Sequence, residues 1–296
     1  MAAPAFDYVA AGSYDEAVRL LAESAGAGYE PKILAGGQSL MPMLNLRLAH
    51  PDLLIDINPA DQRPPSVADG VLRLPALTRH RVLLEHDLVR RHCPLLAEAV
   101  RHVGNVRVRN RGTIGGSLAH ADPTSEIGCC ALATGARVVV RGPAQDGQSD
   151  RTVPASELFA GYWSTTLSSS EIITDVLIPA ARPHQGWSFH EMVRRTSDFA
   201  IVAVAVIVDL AERTGAIAAA NVALAGVADR VVLADPGLAG SAPDDEALGA
   251  AAARIADRLE PPDDVHASGA YRRRLARVLT VRALREARAR ATGQST

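Results

Sequence analysis

ILAGGQSLMPMLNLRLAHPDLLIDI, from Ile33 to Ile57, is the stretch of sequence that decides the fold of the first part of the chain. Two apolar runs enclose a glycine-rich loop, which predicts a buried strand, a tight loop, a short helix and a second strand. The loop itself, AGGQS at Ala35–Ser39, has little side-chain bulk. Glycine admits positive φ and lets a ligand approach the main chain, and successive N–H groups in such a turn favour an anion. The loop is therefore either an anion-binding turn or a plain tight turn.

A second loop of similar composition, TIGGS at Thr113–Ser117, follows much later in the chain. Two such loops could hold the two phosphates of a dinucleotide between them, with side-chain donors and acceptors from Gln38, Ser39, Thr113 and Ser117. The alternative is again two tight turns, because short glycine motifs are weak evidence. The sequence has no G-x-G-x-x-G after a strand and no G-x-x-x-x-G-K-[ST], which disfavours a Rossmann site and excludes a P-loop.

Composition limits the classes of protein to which the chain can belong. Its 296 residues, 48% of them hydrophobic, allow a large core in two or three domains. The formal net charge of -2 argues against a nucleic-acid-binding protein. The three cysteines fit no zinc, iron–sulfur or disulfide pattern, so a cytoplasmic, reducing setting is expected. Neither a signal peptide nor an apolar run of the ~18 residues that a membrane span needs is found.

The order of the predicted elements indicates an α+β fold divided near residue 180. Residues 1–180 form the first domain, with subdomains of about 1–58 and 59–180, and 186–296 form the second, after the linker ARPHQG. Ser13 and Glu16 predict the capped start of a helix. Residues 78–89 and 93–103 each predict a helix, whereas the alternating apolar runs after the linker predict an antiparallel sheet followed by helices.

The two glycine stretches also support a resemblance to a known family. AGGQSLMPMLNLR and RNRGTIGGSLAHADPTSE resemble the FAD-binding signatures of the medium, flavoprotein subunit of molybdenum hydroxylases, the group that includes carbon monoxide, nicotine and xanthine dehydrogenases. The resemblance continues in order along the chain, through SSSEIITDVLIP, WSFHEMVRRTSDFAIVAVAV and GAYRRRLARVLTVRAL. It implies a two-subdomain FAD-binding domain of the vanillyl-alcohol-oxidase/PCMH type, followed by a C-terminal domain of antiparallel sheet covered by helices.

The resemblance implies FAD as cofactor and assigns residues to it, with no catalytic residue and no metal ligand. Glu126 would accept from ribose hydroxyls; the alternative is an acid favoured by the dipole at the start of a helix. Ile173 and His190 would line the flavin, although Ile173 is equally a core residue and His190 replaces a lysine of some relatives. The residues carried over to the two loops are Ala35, Gly36, Gly37, Gln38, Ser39, Leu40, Thr113, Ile114, Gly115, Gly116 and Ser117.

The function that the resemblance implies is electron transfer within a molybdenum hydroxylase complex. Electrons would pass from the [2Fe–2S] clusters of a partner through FAD to an external acceptor. The expected partners are a small [2Fe–2S] subunit and a large molybdenum-cofactor subunit, in a dimer of heterotrimers. The alternatives are a self-sufficient FAD-dependent oxidase or reductase with the same fold, and a non-catalytic interaction module.

The C-terminal segment is strongly basic, with eight arginines and one glutamate between Tyr271 and Thr296. It could be interpreted as a patch for nucleic acid or for an anionic membrane surface. The helical spacing of Leu275, Val278, Leu279 and Ala283 instead predicts a helix with one buried face. We therefore expect this helix to pack on its own sheet, with arginines in solvent or against a partner subunit.

Overall fold

A parallel three-stranded sheet carries the first glycine loop at one edge. In the computed structural model, which describes residues 4–145 and 148–293, this layer consists of β1 (Asp7–Ala10), α1 (Tyr14–Gly26), β2 (Pro31–Leu34), α2 (Leu40–Asn45) and β3 (Leu53–Asp56). The strand order is β1-β3-β2, and both neighbouring pairs are parallel. The carboxyl ends of β2 and β3 therefore meet at one edge, which places the AGGQS loop beside Asn58.

Helix α1 begins as the sequence predicts. The Ser13 hydroxyl oxygen accepts from the backbone N–H of Glu16 at 3.1 Å, and the Glu16 carboxylate accepts from the N–H of Gly12 at 2.8 Å. The first bond satisfies a donor that the first turn of a helix leaves without a partner, and the second ties the residue before the cap to the helix. Strand β1 was not predicted, because most of its four side chains are exposed and show no apolar alternation.

A five-stranded antiparallel sheet forms the second subdomain. Its strands are β4 (Ser66–Ala68), β5 (Val71–Pro75), β6 (Arg137–Gln145), β7 (Gln148–Pro154) and β10 (Ile172–Pro179), in the order β4-β5-β10-β6-β7. Between β7 and β10 lie α9 (Ala155–Leu158) and the two-stranded sheet of β8 (Phe159–Gly161) and β9 (Ser164–Thr165). The last strand, β10, pairs in the middle of the larger sheet, so the chain must return across the whole subdomain to complete it.

A series of short helices connects β5 to β6. They are α3 (His80–Glu85), α4 (Asp87–His92), α5 (Pro94–Ala99), α6 (Val106–Arg111), α7 (Ile114–His120) and α8 (Glu126–Ala133). The single helix predicted over residues 78–89 is wrong, because His86 is extended, with ψ of 128°, and its ring accepts from the N–H of Leu88 to begin a new helix. The helix predicted over residues 93–103 also ends early, and α6 was not predicted.

The C-terminal part is an antiparallel sheet covered by two helices, as the resemblance implies. Its elements are β11 (Gln185–Val193), β12 (Ala200–Leu210), β13 (Ile217–Ala225), β14 (Val232–Ala234), α10 (Asp245–Asp257) and α11 (Gly269–Ala291). The strands pair in sequence order, and α10 and α11 pack on one face of the sheet. These observations confirm the predicted α+β fold class.

Strand β12 is buried on both faces of this sheet. Val202, Val204, Val206 and Val208 belong to the core beneath α10 and α11. The alternate residues Ala203, Ala205 and Ile207 belong to the core that also contains α8 and the five-stranded sheet. Since successive side chains of a strand point to opposite faces, two-sided burial explains why this segment is apolar throughout.

Side-chain contacts tie the last sheet to the first domain. The Glu98 carboxylate on α5 accepts from Arg290 of α11 at 2.7 Å and from the N–H of Phe189 at 3.3 Å. The Arg290 guanidinium also lies 5.2 Å from the ring centroid of Trp187. The Asn221 amide donates to the carbonyl of Ala133 at 2.9 Å. The division near residue 180 therefore separates sheets but not hydrophobic cores, and the two-domain division stays a prediction.

The basic helix α11 packs on its sheet as expected, but two of its residues, Val278 and Arg272, differ from the prediction. Leu275, Leu279 and Ala283 are buried, whereas Val278 is 40% exposed, so the prediction for Val278 is wrong. Arg272 was expected in solvent or against a partner subunit, but it is buried and donates to the carbonyls of Ile201 and Gly226 in the sheet of its own domain. Among the described residues, no helix is both long and apolar enough to cross a membrane.

Candidate functional site

The two glycine loops lie against each other. A Cβ on Gly36 would approach the Cα of Gly112 to 2.8 Å, closer than real Cβ atoms come to other heavy atoms. A Cβ on Gly116 would lie 3.9 Å from that of Ala35. Gly37 has a φ of 69°, which favours glycine. The fold thus brings together two segments that are far apart in sequence, as binding of one nucleotide by both requires.

The first loop offers a row of free backbone donors. Within the part of the chain that the structure describes, the N–H groups of Gly36, Gly37, Gln38 and Ser39 donate to no protein acceptor. The Gln38 side chain folds back instead, and its amide donates to the carbonyl of Gly36 at 3.0 Å. Successive free N–H groups in a turn make a concavity that favours negative charge. This loop fits the phosphates of a dinucleotide.

The second loop differs from the first, because the backbone N–H groups of residues 114–117 are already used. It forms the start of α7, so the expectation of a second row of free N–H groups is wrong. The neighbouring segment 76–78 provides two of the acceptors, which fixes the loop in place. The bonds are Ile114 N–H to Thr78 O at 3.0 Å, Gly115 N–H to Ala76 O at 2.8 Å, Gly116 N–H to Thr113 Oγ1 at 3.1 Å and Ser117 N–H to Thr113 O at 3.0 Å.

A pair of side chains that the sequence did not single out links the two loops. The Asn58 amide donates to the carbonyl of Ala35 at 2.9 Å, and its oxygen accepts from Arg79 at 2.6 Å. The other end of the Arg79 guanidinium donates to the carbonyl of Arg111, just before the second loop. Burial, and then the charge of Arg111, lower the pKa of Arg79. We call this pair the Asn58–Arg79 bridge.

His80 lies directly beneath the second loop and was also not predicted. It is 3% exposed, and its Nε2 is 3.0 Å from the hydroxyl oxygen of Ser117. Its backbone N–H donates to the carbonyl of Gly112 at 3.0 Å. Burial, together with the charges of Arg109 and Arg79, lowers the pKa of His80 to about 4 despite a hydrogen bond to the backbone of Thr113. The imidazole is therefore neutral at ordinary pH.

Glu126 is the first residue of α8 and is partly buried. Burial, followed by the charges of Glu191 and Asp122, raises the pKa of this carboxyl to about 7. A hydrogen bond from its own backbone N–H and the charge of the nearby His102 lower the pKa, but by less. Glu191 is paired with His102, whose Nδ1 lies 3.0 Å from the carboxylate. A carboxyl with this pKa can accept hydrogen bonds when ionised and donate one when protonated.

Comparisons with known proteins agree over the whole chain. The family described as the FAD binding domain in molybdopterin dehydrogenase matches residues 4–181, and the CO dehydrogenase flavoprotein C-terminal domain matches residues 187–287. The chain belongs to the FAD-binding medium subunits of the molybdenum hydroxylases.

Individual relatives of this medium subunit cover nearly its full length. It is 38% identical to the alpha subunit of the 6-hydroxypseudooxynicotine dehydrogenase complex of Paenarthrobacter nicotinovorans, over 100% of this chain and 99% of that protein. It is 35% identical to the medium chain of carbon monoxide dehydrogenase from Hydrogenophaga pseudoflava, over 98% and 99%. The solved structure of that dehydrogenase lacking the Mo-pyranopterin moiety superposes with a TM-score of 0.92, covering 98% of this chain and 99% of the other.

A second solved structure gives the same result. Quinoline 2-oxidoreductase from Pseudomonas putida 86 has 33% sequence identity and a TM-score of 0.89, and 99% of each chain is covered. The fold and the cofactor, FAD, therefore follow from membership of the family. The protein is a subunit of an oxidoreductase. The role of each predicted residue stays a prediction.

Ile173 and His190, which were predicted to line the flavin, lie in different surroundings. Ile173 is 4% exposed and packs in the main core, beside an irregularity in the pairing of β10 with β6. His190 Nε2 lies 2.9 Å from Glu286 of α11, so this side chain faces the C-terminal helix rather than the glycine loops. Because side chains alternate along a strand, the next residue, Glu191, faces the opposite side, toward His102 and Glu126.

Proposed function

We propose that this medium subunit carries electrons from the [2Fe–2S] clusters of a partner subunit through FAD to an external acceptor. The observation that carries the proposal is the row of free N–H groups at Gly36–Ser39, held against the second loop. The iron–sulfur clusters belong on another chain, because each needs four thiolate ligands and this chain has three cysteines, all buried.

The residues of the chain have distinct tasks in holding the cofactor, which when bound supplies the electron-carrying chemistry. The N–H groups of Gly36–Ser39 bind the diphosphate, since charge-assisted bonds to an anion are among the stronger hydrogen bonds. Ser117 contributes a hydroxyl from the second loop. The Asn58–Arg79 bridge sets the spacing between the loops, and Glu126 accepts from a ribose hydroxyl.

The proposal includes partner subunits of defined kind. The relative from Paenarthrobacter nicotinovorans is named as the subunit of a complex, and the one from Hydrogenophaga pseudoflava as a medium chain, which implies neighbours of other sizes. We infer a small [2Fe–2S] subunit and a large molybdenum-cofactor subunit, assembled as a dimer of heterotrimers. Substrate oxidation then takes place on the large subunit, outside this chain.

The test compares the chain expressed alone with the chain purified from its native host together with the proteins that co-elute with it. The purified chain is expected to bind FAD, with flavin absorbance near about 450 nm. In the complex, the parent substrate reduces the flavin anaerobically, whereas the flavin of the isolated chain is not reduced. Metal analysis of the complex is expected to show iron and molybdenum.

Two results would contradict the proposal. Reduction of the flavin in the isolated chain by a small substrate would indicate a self-sufficient oxidase or reductase instead. Failure to bind FAD under any condition would leave an interaction module, with the glycine loops serving only as turns.

A further inference from the structure

His80 is a buried titratable residue beneath the site, and the proposed function assigns it no role. Its ring packs closely against Gly112, because a Cβ on Gly112 would lie 2.8 Å from Nδ1 and Cε1. Nε2 faces the Ser117 hydroxyl oxygen at 3.0 Å. Nδ1 is buried and has no hydrogen-bond partner among the described residues. The two ring nitrogens are therefore in very different environments.

These environments indicate which nitrogen carries the proton in the neutral ring. A proton on Nδ1 would be a buried donor without an acceptor, and orphaned buried N–H groups are rare in proteins. This difference places the proton on Nε2, the nitrogen that faces Ser117.

The position of this proton decides what Ser117 can do. A hydroxyl has one hydrogen and two lone pairs, and Nε2–H occupies one lone pair of Ser117 Oγ. The hydroxyl hydrogen then remains available for another acceptor. With the opposite tautomer, Ser117 would donate to His80 and present only lone pairs, which repel an anion. Because the backbone N–H groups of residues 114–117 are already paired, the Ser117 hydroxyl is a donor that this part of the loop can still offer.

We propose that His80 is a positioning residue that donates from Nε2 to Ser117 and thereby makes the Ser117 hydroxyl a donor to the FAD diphosphate. This inference rests on the proposed role of the two loops in binding FAD. The added residue, His80, lies below the second loop, does not contact the cofactor and acts through Ser117.

The first test determines the tautomer in the full-length, FAD-free protein labelled with ¹⁵N-histidine. The chain has nine histidines, and the resonances of His80 are assigned by their loss in His80→Gln. We expect a pyrrole-type signal for Nε2 and a pyridine-type signal for Nδ1, unchanged between pH 6 and pH 8. The opposite assignment, with the proton on Nδ1, would overturn the inference without involving FAD.

The second test measures the Kd for FAD in variants checked for native circular dichroism. His80→Gln places an amide N–H at the level of Nε2 and is expected to stay within about 3-fold of the wild type, whereas the shorter His80→Asn weakens binding about 10- to 100-fold. Ser117→Ala weakens binding similarly, and the double variant His80→Asn/Ser117→Ala is no weaker than Ser117→Ala alone. His86→Asn, which keeps an acceptor for the Leu88 N–H, is the control and leaves the Kd unchanged.

The results separate this inference from the proposed function. A His80→Asn variant that binds like the wild type, or losses that add in the double variant, would overturn the role of His80 while leaving FAD binding intact. If the wild-type chain itself failed to bind FAD, the proposed function and this inference would both be overturned.

Discussion

At Gly36, the backbone of the first loop comes so close to the second that no side chain fits. Gly36→Ala would force the loops apart, because its Cβ would lie 2.8 Å from the Cα of Gly112 and still closer to the carbonyl oxygen of Arg111. We expect a loss of stability of about 1–3 kcal/mol from overpacking and a weakening of FAD binding of at least about 10-fold. Thermal unfolding and titration with FAD measure the two effects.

The matched control for this substitution is Gly249→Ala in α10. A Cβ at Gly249 would meet nothing within 4 Å, and alanine has the higher helix propensity. This variant is expected to gain up to about 1 kcal/mol and to bind FAD normally. Normal FAD binding by Gly36→Ala would show that the close approach of the loops is not needed for the cofactor.

Glu126 predicts a pH dependence of stability in the FAD-free protein. Its pKa in the fold is about 7, above the ordinary value of 4.5, so the folded state binds the proton more tightly than the unfolded state. The stabilisation of the folded state that comes from this tighter proton binding is complete below about pH 4.5 and is lost as pH rises through about 7. Glu126→Gln should therefore be more stable than the wild type at pH 8, by about 2–3 kcal/mol, and similar to it at pH 5.

The measurement is urea unfolding of both proteins from pH 5 to pH 8, with stability at each pH taken from the linear extrapolation. Parallel curves for wild type and Glu126→Gln would mean that the carboxyl titrates normally in the fold. Glu85→Gln, an exposed acid on α3, serves as the control and should follow the wild type throughout.

Single residues were predicted from the sequence with uneven success. The glycines correctly predicted the two loops, because few other residues tolerate a positive φ or so close an approach of two backbone segments. His190 and Glu191 show what could not be predicted. Adjacent residues of a strand point to opposite faces, and the sequence does not indicate which face packs against which neighbouring element. The Asn58–Arg79 bridge and His80 were missed, because their roles depend on contacts between segments far apart in the chain.

Among the elements, the Asn58–Arg79 bridge joins the end of β3 to the loop before α7. Arg79→Gln keeps a polar side chain but loses the guanidinium fork that reaches both Asn58 and the Arg111 carbonyl. We expect FAD binding to weaken about 10-fold and stability to fall by about 1–2 kcal/mol, because partners of a charged hydrogen-bond donor are left unpaired. Isothermal titration with FAD and thermal unfolding measure the change.

The control for the bridge is Arg81→Gln, two residues further along. Arg81 is exposed, and its contact with Glu85 is 3.9 Å long, so its loss should change stability by less than about 0.5 kcal/mol. Equal behaviour of Arg79→Gln and Arg81→Gln would argue that the loops keep their spacing without the bridge.

Long periodic elements were predicted more reliably than short ones. The strands of the C-terminal sheet and the capped helix α1 follow apolar alternation and capping rules that are local in sequence. The helices between β5 and β6 were predicted as longer units, because apolar spacing continues across His86 although the backbone does not. The short α6 has no buried residue at all, so apolar spacing could not have revealed it.

At the scale of the whole molecule, the shared core predicts that the two domains unfold together. Residues of β12 and β13 lie in one hydrophobic cluster with α8 and the five-stranded sheet. We expect a single calorimetric transition for the full chain. A fragment of residues 1–184 should expose this surface and aggregate or unfold non-cooperatively, as seen by light scattering and circular dichroism.

Two separate transitions in the full chain would contradict this expectation. So would a fragment of residues 1–184 that unfolds cooperatively and remains monomeric. The fold class and domain order could be predicted from the sequence because motifs occur in a family-specific order. The packing of one domain on the other could not, since no local pattern records which apolar face meets which.

Strand β12 limits how this family can exchange parts by recombination. Its valines pack in the core of the C-terminal domain, while the alanines between them pack in the core that contains α8 of the first domain. A chimera that joins the FAD-binding half of one relative to the C-terminal half of another would combine side chains of mismatched volume where β12 packs against α8. Hybrid proteins should therefore fold best when α8 is transplanted together with β12, rather than when the crossover is placed at the linker alone.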